Sequence, residues 1–245
     1  MRLKAMKFSK LGCIVPALLL GIILQPFLVF AQQPLVITVV TSGIFTNTGK
    51  TILQEAYNRV GVPIEFVNYP GERALILSND GVTDGELFRI DNMNEKYPNL
   101  MKVPVSYIPD EAVVFSKIDF TVDGWQSLKS YKIGVRRGNK FVEHNTQKML
   151  RYFAKGEKQM FEMLALDRVD IVVTNRLEGV DMINKLGYAK TIKPLKPPIV
   201  TNPLFHYLHK KHAALVPLLA SELQAMYEDG TIQQIMVKVE KNLLQ

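Results

Sequence analysis

The sequence predicts an α/β fold built on a parallel sheet. Apolar, β-branched runs alternate along the chain with segments whose apolar residues recur at helical spacing. This strand–helix alternation is typical of parallel sheets, because each crossover between parallel strands accommodates a helix. Removing the first 31 of the 245 residues leaves 214. That length is enough for one large domain or two smaller lobes.

The first strand and helix are the most clearly marked elements. Leu35–Thr41 is rich in β-branched residues and predicts a buried strand. Helical spacing from Gly49 to Val60 predicts a helix that ends at Gly61. Ile64–Asn68 predicts the second strand, and a second helix is expected after Pro70.

A charged block, Asn79–Arg89, follows that second helix. It contains three acids, two glycines and an arginine within eleven residues. An exposed loop can carry such charges without a role, whereas a strand that ends in a cleft aims them at a ligand. We expect the segment from Asp84 to Arg89 to follow a third strand and to form the lip of such a cleft.

The rest of the chain continues the alternation. Strands are predicted at Ala112–Phe115, Lys132–Val135, Val169–Val173 and Leu204–Leu208. Helical segments are predicted at Trp125–Leu128, at about 139–153, 157–166 and 178–186, through Leu215–Tyr227, and from Thr231 onward. Two connections interrupt the pattern, near Ser106–Asp110 and near the proline-rich Pro194–Pro203.

The N-terminus has the features of a secretory signal peptide. Four basic residues precede the apolar stretch Leu11–Phe30, and the small residue Ala31 ends it. This pattern predicts cleavage after Ala31 and export to the periplasm. An uncleaved membrane anchor is the alternative, because the apolar run approaches spanning length. Pro16, Pro26 and the Val-x-Ala ending favour cleavage.

Composition excludes several classes of function. The only cysteine, Cys13, lies in the signal segment, so the remainder has no disulfide or thiolate chemistry. Four of the 30 basic residues and none of the 23 acidic ones lie in residues 1–31, which leaves 26 against 23, a net charge of +3. That balance argues against a nucleic-acid-binding protein.

Three sequence blocks, in this order, resemble the family 3 extracellular solute-binding proteins of the periplasmic amino-acid-binding type. They are Glu111–Lys117 with Trp125–Gly138, then Leu166–Val173, and finally Leu208–His212 with Leu215 and Met226–Gly230. The resemblance implies a type II periplasmic-binding-protein-like fold of two α/β lobes joined by a two-strand hinge. Carried over, residues 1–31 are the signal peptide, 32–108 and 199–245 form the first lobe, and 109–198 form the second.

The ligand is expected at the carboxyl ends of the strands, between the lobes. In the family, an arginine of the first lobe pairs with the ligand's carboxylate, and the resemblance favours Arg89, with Arg73 next. Arg89 has an alternative role as an internal partner of Asp84, Glu86 or Glu72. The expected ligand-binding residues are Phe45, Glu72, Arg73, Asp84, Glu86, Arg89, Arg136, Gly138, Asn139, Lys140 and Asn175.

Two departures from the family's pattern leave the ligand class open. The acid that holds an α-ammonium in the family is replaced by Asn175, and the usual Ser/Thr of the second lobe is replaced by Asn139. A neutral amide forms hydrogen bonds but provides no counter-charge. An amino acid and another carboxylate-bearing or organic acid therefore remain alternatives. Glu72 or Glu86 would restore a site for a cation.

The resemblance implies ligand capture by hinge closure for an ABC permease or a sensor. The alternative is a cyclohexadienyl-dehydratase-like enzyme on the same fold, with Glu72, Asp84 and Glu86 as candidate acids or bases. We expect a monomer without a cofactor. His206, His209 and His212 are not expected to bind a metal, because they span the predicted end of a strand and the start of a helix.

Overall fold

A computed structural model describes residues 33–243, so the predicted signal peptide lies outside the described residues. The strands are β1 Leu35–Val39, β2 Ile64–Asn68, β3 Gly85–Arg89, β4 Leu100–Ser116, β5 Ile133–Arg136, β6 Arg151–Ala154, β7 Ile171–Asn175, β8 Lys193–Pro194 and β9 Val200–His209. The helices are α1 Ile44–Arg59, α2 Gly71–Asn79, α3 Met93–Lys96, α4 Lys140–Asn145, α5 Glu157–Ala165, α6 Arg176–Lys185, α7 Leu215–Glu228 and α8 Thr231–Leu243.

The strands form a sheet in the order β2-β1-β3-β9-β4-β7-β5-β6, and β8 pairs with β4. At one end, β1 lies between β2 and β3 and is parallel to both. At the other end, β5 lies between β6 and β7 and is parallel to both. We call β1–β3 with α1, α2, α7 and α8 the first half of the structure, and β5–β7 with α4–α6 the second half.

Two long antiparallel strands, β4 and β9, join the halves. Their pairing runs from Leu100 opposite His209 to Ala112 opposite Val200. The sequence predicted only Ala112–Phe115 of β4 and Leu204–Leu208 of β9, because prolines interrupt the apolar pattern of both strands. Pro104 falls where the register shifts, and Pro109 pairs with Pro203. Strands tolerate proline at such irregular positions, where ladder hydrogen bonds are already missing.

Each half has its own hydrophobic core. In the first half, Ile37 of β1 packs with α1 and α7 residues such as Leu53 and Leu223. In the second half, the two faces of β5 and β7 bury separate clusters, one around Val135 and Val173 and one around Phe161 and Val172. The apolar, β-branched runs at Leu35–Thr41 and Val169–Val173 therefore predicted buried strands correctly.

Three predicted element assignments require correction. The helix expected at 139–153 ends at Asn145, and Arg151–Ala154 is instead the edge strand β6. The helix expected from Gly49 begins at Ile44, directly after Gly43. Gly85–Arg89 is itself the third strand, so Asp84 precedes that strand. A four-residue strand is too short for its apolar residues to show a period, which explains the first error. No helix among residues 33–243 is both long and apolar enough to span a membrane.

Candidate functional site

The two halves meet where β1 and β7 end. Helix α1 begins after β1 with the sequence Gly43-Ile44-Phe45, and α6 begins directly after β7. Glu178, in the first turn of α6, extends its carboxylate to the amino end of α1. There the backbone N–H of Phe45 donates a hydrogen bond to Glu178 Oε1 at 3.0 Å. An acid of one half thus occupies the anion-favouring end of a 16-residue helix in the other half.

Gly43 makes room for this contact. Its φ of 154° and ψ of 179° lie in a region that residues with a side chain rarely adopt. A Cβ atom at this position would lie 2.3 Å from Glu178 Oε1. The absence of a side chain at residue 43 is therefore what allows a carboxylate to reach the helix end.

A second carboxylate, Glu157, lies beside the strand ends of the second half. Thr174 Oγ1 donates a hydrogen bond of 3.1 Å to Glu157 Oε1. Arg136 Nε lies 3.1 Å from the same oxygen, but it is not oriented to form a hydrogen bond. Glu157 Oε2 is buried and has no hydrogen-bond partner among the described residues. This oxygen is available to a donor that enters the site.

The two carboxylates share a poorly solvated environment. Burial raises the pKa of the Glu157 carboxyl, and the opposing effects of Arg136 and Thr174 are smaller. Burial also raises the pKa of Glu178; the Phe45 N–H opposes this rise, whereas the negative charge of Glu157 adds to it. A positive charge placed between them would relieve both effects.

The side chain of Asn175 forms hydrogen bonds within the protein. Its Oδ1 accepts from the backbone N–H groups of Leu177 and Glu178, at 2.9 and 3.3 Å, and so caps α6. Its Nδ2 donates to Asp110 Oδ1 at 2.8 Å. Burial raises the pKa of Asp110, and this hydrogen bond from Asn175 opposes the rise. Asn175, which the resemblance placed at an ammonium-binding position, thus orients the helix that carries Glu178.

Arg89 is paired internally with Glu86. Its Nε and Nη2 donate to Glu86 Oε2 at 2.8 and 2.5 Å, and Nη2 also donates to the carbonyl of Gly71. The Glu86 side chain is only 1% exposed, and Ser78 donates to its other oxygen. This is the internal role considered above as the alternative for Arg89.

The other charged candidates of the first half also have local partners. Glu72 accepts from Lys96 and Tyr97 at the surface, and the exposed Arg73 lies over the ring of Tyr69. Asp84 lies directly before β3, which is parallel to β1, so it is near the start of β1 and not near its carboxyl end. The expectation that Asp84 follows the third strand and faces the cleft is therefore corrected.

Asp84 connects the start of β1 to the segment after β9. It accepts hydrogen bonds from the Val36 N–H and from His212 Nε2, each at 2.7 Å, and Lys211 Nζ lies 2.8 Å away. These contacts lower the pKa of the Asp84 carboxyl despite the opposing effect of burial, the largest single influence. Asp84 therefore has the contacts of a structural residue.

The candidates after β5 also form local contacts. Asn139 caps α4 by accepting from Val142 N–H at 3.2 Å, and Glu143 accepts from the Gly138 N–H and from Lys140. Phe45 buries its ring against Phe88 at a centroid separation of 5.2 Å, so only its backbone N–H faces Glu178. Of the eleven candidate residues, Phe45 and Arg136 lie in the cluster built around Glu178 and Glu157.

Sequence reasoning missed Glu157, Thr174 and Glu178. Glu178 lies three residues after Asn175, which is one helical turn and leaves both near the same end of α6. A search for acids in the first turn of each helix that follows a strand would have selected Glu157 and Glu178, together with Glu72, Glu95 and Glu143. That signal is also typical of ordinary helix capping, so alone it has little specificity.

Helix α6 makes further contacts across the junction. Arg176 Nε lies 2.5 Å from Glu111 Oε2 on β4, and its Nη2 lies 2.6 Å from Glu240 Oε1 on α8. Leu177 packs in the core of the first half. The halves are therefore in contact on the α6 side through apolar, ionic and hydrogen-bonded groups.

The three histidines near β9 have separate environments. His206 is buried between Tyr57 and the Glu86 carbonyl, His209 accepts from the Lys211 N–H, and His212 bonds Asp84. Within residues 33–243, no group of three or more His, Cys, Asp or Glu residues is arranged to hold a metal ion.

Comparison with known proteins gives a fold but no family assignment. No protein-family model matches the chain. An uncharacterized protein of Shewanella oneidensis is 24% identical over 192 residues, which covers 75% of this chain and 72% of that protein.

Solved structures resemble the chain over most of its length. The GluR0 ligand-binding core in complex with L-glutamate gives a TM-score of 0.70 at 11% identity and covers 85% of this chain and 98% of that one. A histidine kinase sensor domain with similarity to periplasmic binding proteins gives 0.64 at 14% identity and covers 84% and 96%. An ancestral arginine-binding protein bound to arginine gives 0.62 at 19% identity and covers 83% and 96%. The chain therefore has the two-lobed, periplasmic-binding-protein-like α/β fold.

Proposed function

We propose that this protein is a periplasmic solute-binding protein that captures a small zwitterion, such as an amino acid, between its two lobes. The observation that carries the proposal is the Glu178 carboxylate bound to the Phe45 N–H at the start of α1. A carboxylate already fits this helix end, so a ligand carboxylate can take the place of Glu178 there. Similarity to the arginine-bound and glutamate-bound structures supports the same ligand class.

Glu157 provides the counter-charge that Asn175 does not. Its buried Oε2 can accept from a ligand ammonium, and Thr174 and Arg136 hold the other side of the carboxylate. A charge-assisted hydrogen bond in this poorly solvated site contributes more than one at the surface. The ligand thus contacts α1 through its carboxylate and Glu157 through its ammonium.

Contacts from both lobes favour the closed arrangement, because an open cleft offers the ligand only one of them. A membrane partner can then recognise the closed form. The neighbours include both an ABC-transporter substrate-binding protein and a sensor domain, and either kind of partner is compatible with the site. The proposal places residues 32–245 in the periplasm after export directed by the predicted signal peptide.

The enzymatic alternative has less support from the site. Its candidate acids and bases, Glu72, Asp84 and Glu86, all have internal partners and lie outside the Glu157–Glu178 cluster. Fold similarity to binding proteins favours the same conclusion.

Isothermal titration calorimetry of the purified protein tests the proposal. The panel contains amino acids, matched carboxylic acids without the amino group, and matched amines without the carboxylate. We expect binding of at least one amino acid, and binding at least tenfold weaker for its two single-charge analogues. Failure of every amino acid to bind, or equal binding of an analogue, would contradict the proposal.

A matched pair of variants locates the ammonium site. Glu157→Gln should weaken binding of the amino acid about tenfold or more, because the amide lacks the charge. Glu162→Gln, five residues further along α5 and at the surface, should leave affinity unchanged. Equal affinities for the two variants would remove Glu157 from the site.

A further inference from the structure

The terminal strand of the sheet, β6, has one open edge. This strand pairs with β5 on one side, from Ile133 opposite Arg151 to Arg136 opposite Ala154. The sheet order ends at β6, so the other side of the strand has no neighbouring strand. An uncovered strand edge of this kind can pair with another chain.

The ladder to β5 shows which backbone groups face outward. Ile133 N–H donates to the Leu150 carbonyl, and Arg137 N–H donates to the Ala154 carbonyl, both at 2.9 Å. In a parallel ladder alternate residues direct both backbone groups to the same neighbour. Leu150, Tyr152 and Ala154 therefore face β5, and Arg151 and Phe153 direct their N–H and C=O groups outward. No hydrogen bond to these outward groups is present within the described part of the chain.

A cationic groove of about 990 Å³ runs between this edge and α4. The guanidinium groups of Arg137 and Arg151 each lie 5.2 Å from the centre of the Phe153 ring. Neither guanidinium is paired with a carboxylate of residues 33–243. The one acid that lines the groove, Glu143, already accepts from Gly138 N–H and Lys140. The groove therefore has uncompensated positive charge beside an open strand edge.

The opposite face of the edge is apolar. Leu150 and Tyr152 point away from Arg151 and Phe153, because side chains alternate along a strand. They are 53% and 39% exposed. A strand added to β6 would thus place alternate side chains beside cations on one face and beside apolar groups on the other.

We propose that the free edge of β6 binds an extended segment of a partner protein in which acidic and apolar residues alternate. Strand addition satisfies the outward backbone groups of Arg151 and Phe153, and the acids of the segment pair with Arg137 and Arg151. Charge complementarity selects an acidic partner. A flat anionic bilayer would neutralise the arginines without pairing the strand edge. This surface is separate from the small-ligand cleft and does not depend on the proposed function.

Fluorescence anisotropy with a labelled seven-residue peptide of alternating glutamate and valine tests the proposal on the purified protein. We expect saturable binding that is at least tenfold weaker for a peptide of the same composition with its glutamates and valines in separate blocks. Peptides that are N-methylated at every second amide, in the two possible phases, test strand pairing. One phase should abolish binding and the other should preserve it, because only alternate amides face β6.

Variants and vesicles complete the test. The double variant Arg137→Ala/Arg151→Ala should weaken peptide binding at least tenfold. Its matched control, Arg168→Ala/Lys190→Ala, removes the same charge from exposed positions of the second half and should change binding less than twofold. Binding insensitive to both methylation phases would overturn the proposal. So would sedimentation with phosphatidylglycerol vesicles that depends on Arg137 and Arg151 while the peptide fails to bind.

Discussion

The first half of the structure carries the dense charges of the Asn79–Arg89 block, whereas the second half spreads its charges over the segments that follow β5, β6 and β7. In the first half, Arg89 is bonded to Glu86, and Asp84 is bonded to His212 and lies beside Lys211. In the second half, Glu157 has a buried oxygen without a partner, and Glu178 reaches across to α1. The charges of the Asn79–Arg89 block are therefore neutralised locally, and two acids from separate helices of the second half lie where the halves meet.

This contrast teaches how to weigh charged segments. Acids and bases a few residues apart on one strand or turn can reach each other, so local pairing is their default state. An acid in the first turn of a helix that follows a strand can instead point at the strand ends, where ligands bind in open α/β folds. A buried carboxylate oxygen without a partner, as in Glu157, therefore indicates a recognition role more strongly than charge density does.

The largest effect is expected from breaking the Arg89–Glu86 pair. Glu86→Ala leaves the Arg89 guanidinium largely buried without its carboxylate, which should lower the free energy of unfolding by about 3 kcal/mol or more. Urea denaturation measures this change. The exposed Glu72→Ala is the matched control and should leave the urea midpoint nearly unchanged. A Glu86→Ala protein of unchanged stability that no longer binds ligand would instead assign Glu86 to the cleft.

The buried imidazole of His206 extends the comparison to acid stability. Because the Glu86 carbonyl can only accept, Nδ1 carries the proton, and Nε2 accepts from the Tyr57 hydroxyl; the neutral ring is therefore the bonded form. Burial lowers its pKa from 6.5 to about 4. As the pH falls, the histidine of the unfolded chain therefore binds a proton before the buried one does. The free energy of unfolding is highest above pH 6.5 and decreases by about 3 kcal/mol as the pH drops to 4.

Denaturation midpoints across this pH window measure the effect. His206→Gln should be less stable than the parent protein at pH 7.5 but should lose less stability between pH 6.5 and 4. A parent protein whose stability is flat across this window would show that His206 is not held neutral by burial.

Much of the fold was accessible from the sequence. The strong β-branched runs of β1 and β7 and the helical spacing in α5 and α7 predicted these elements correctly. Strand β6 was missed because four residues between short turns give no reliable period. The spacing of apolar residues could not predict that β4 pairs with β9, because this pairing depends on contacts between segments about 100 residues apart.

The site was less accessible than the fold for a physical reason. Whether Arg89 binds a ligand or Glu86 depends on side-chain geometry within one strand, and the sequence is compatible with both. Asn175 was singled out as a departure from the pattern of the family that the sequence resembles, but its role as the cap of α6 depends on where the helix begins. The contact of Glu178 with Phe45 joins residues 133 apart, so only the assembled halves reveal it.

The pH dependence of amino-acid binding tests whether the Glu157 carboxylate is the counter-charge for the ligand ammonium. Burial raises the pKa of this carboxyl, so it gains a proton at a pH above the ordinary range for glutamate. The protonated form cannot counter an ammonium charge, so amino-acid affinity should fall about tenfold as the pH is lowered from 7.5 through that range. Calorimetric titrations at several pH values measure the fall. In Glu157→Gln the same titrations should give a much flatter profile, and an equally steep profile would assign the titration to another group.

The smallest effect is expected at Glu178 and has the opposite sign. If its carboxylate competes with the ligand's for the Phe45 N–H, Glu178→Ala should raise amino-acid affinity about fivefold, which corresponds to about 1 kcal/mol. The control Asp181→Ala removes a neighbouring acid of α6 that is paired with Lys185, and it should leave affinity within twofold of the parent. Weaker binding in Glu178→Ala would mean that Glu178 contacts the ligand directly, and the carboxylate site would then have to lie elsewhere. Stronger binding would mean that Glu178 acts as an internal substitute for the ligand carboxylate at the Phe45 N–H, which the ligand must displace.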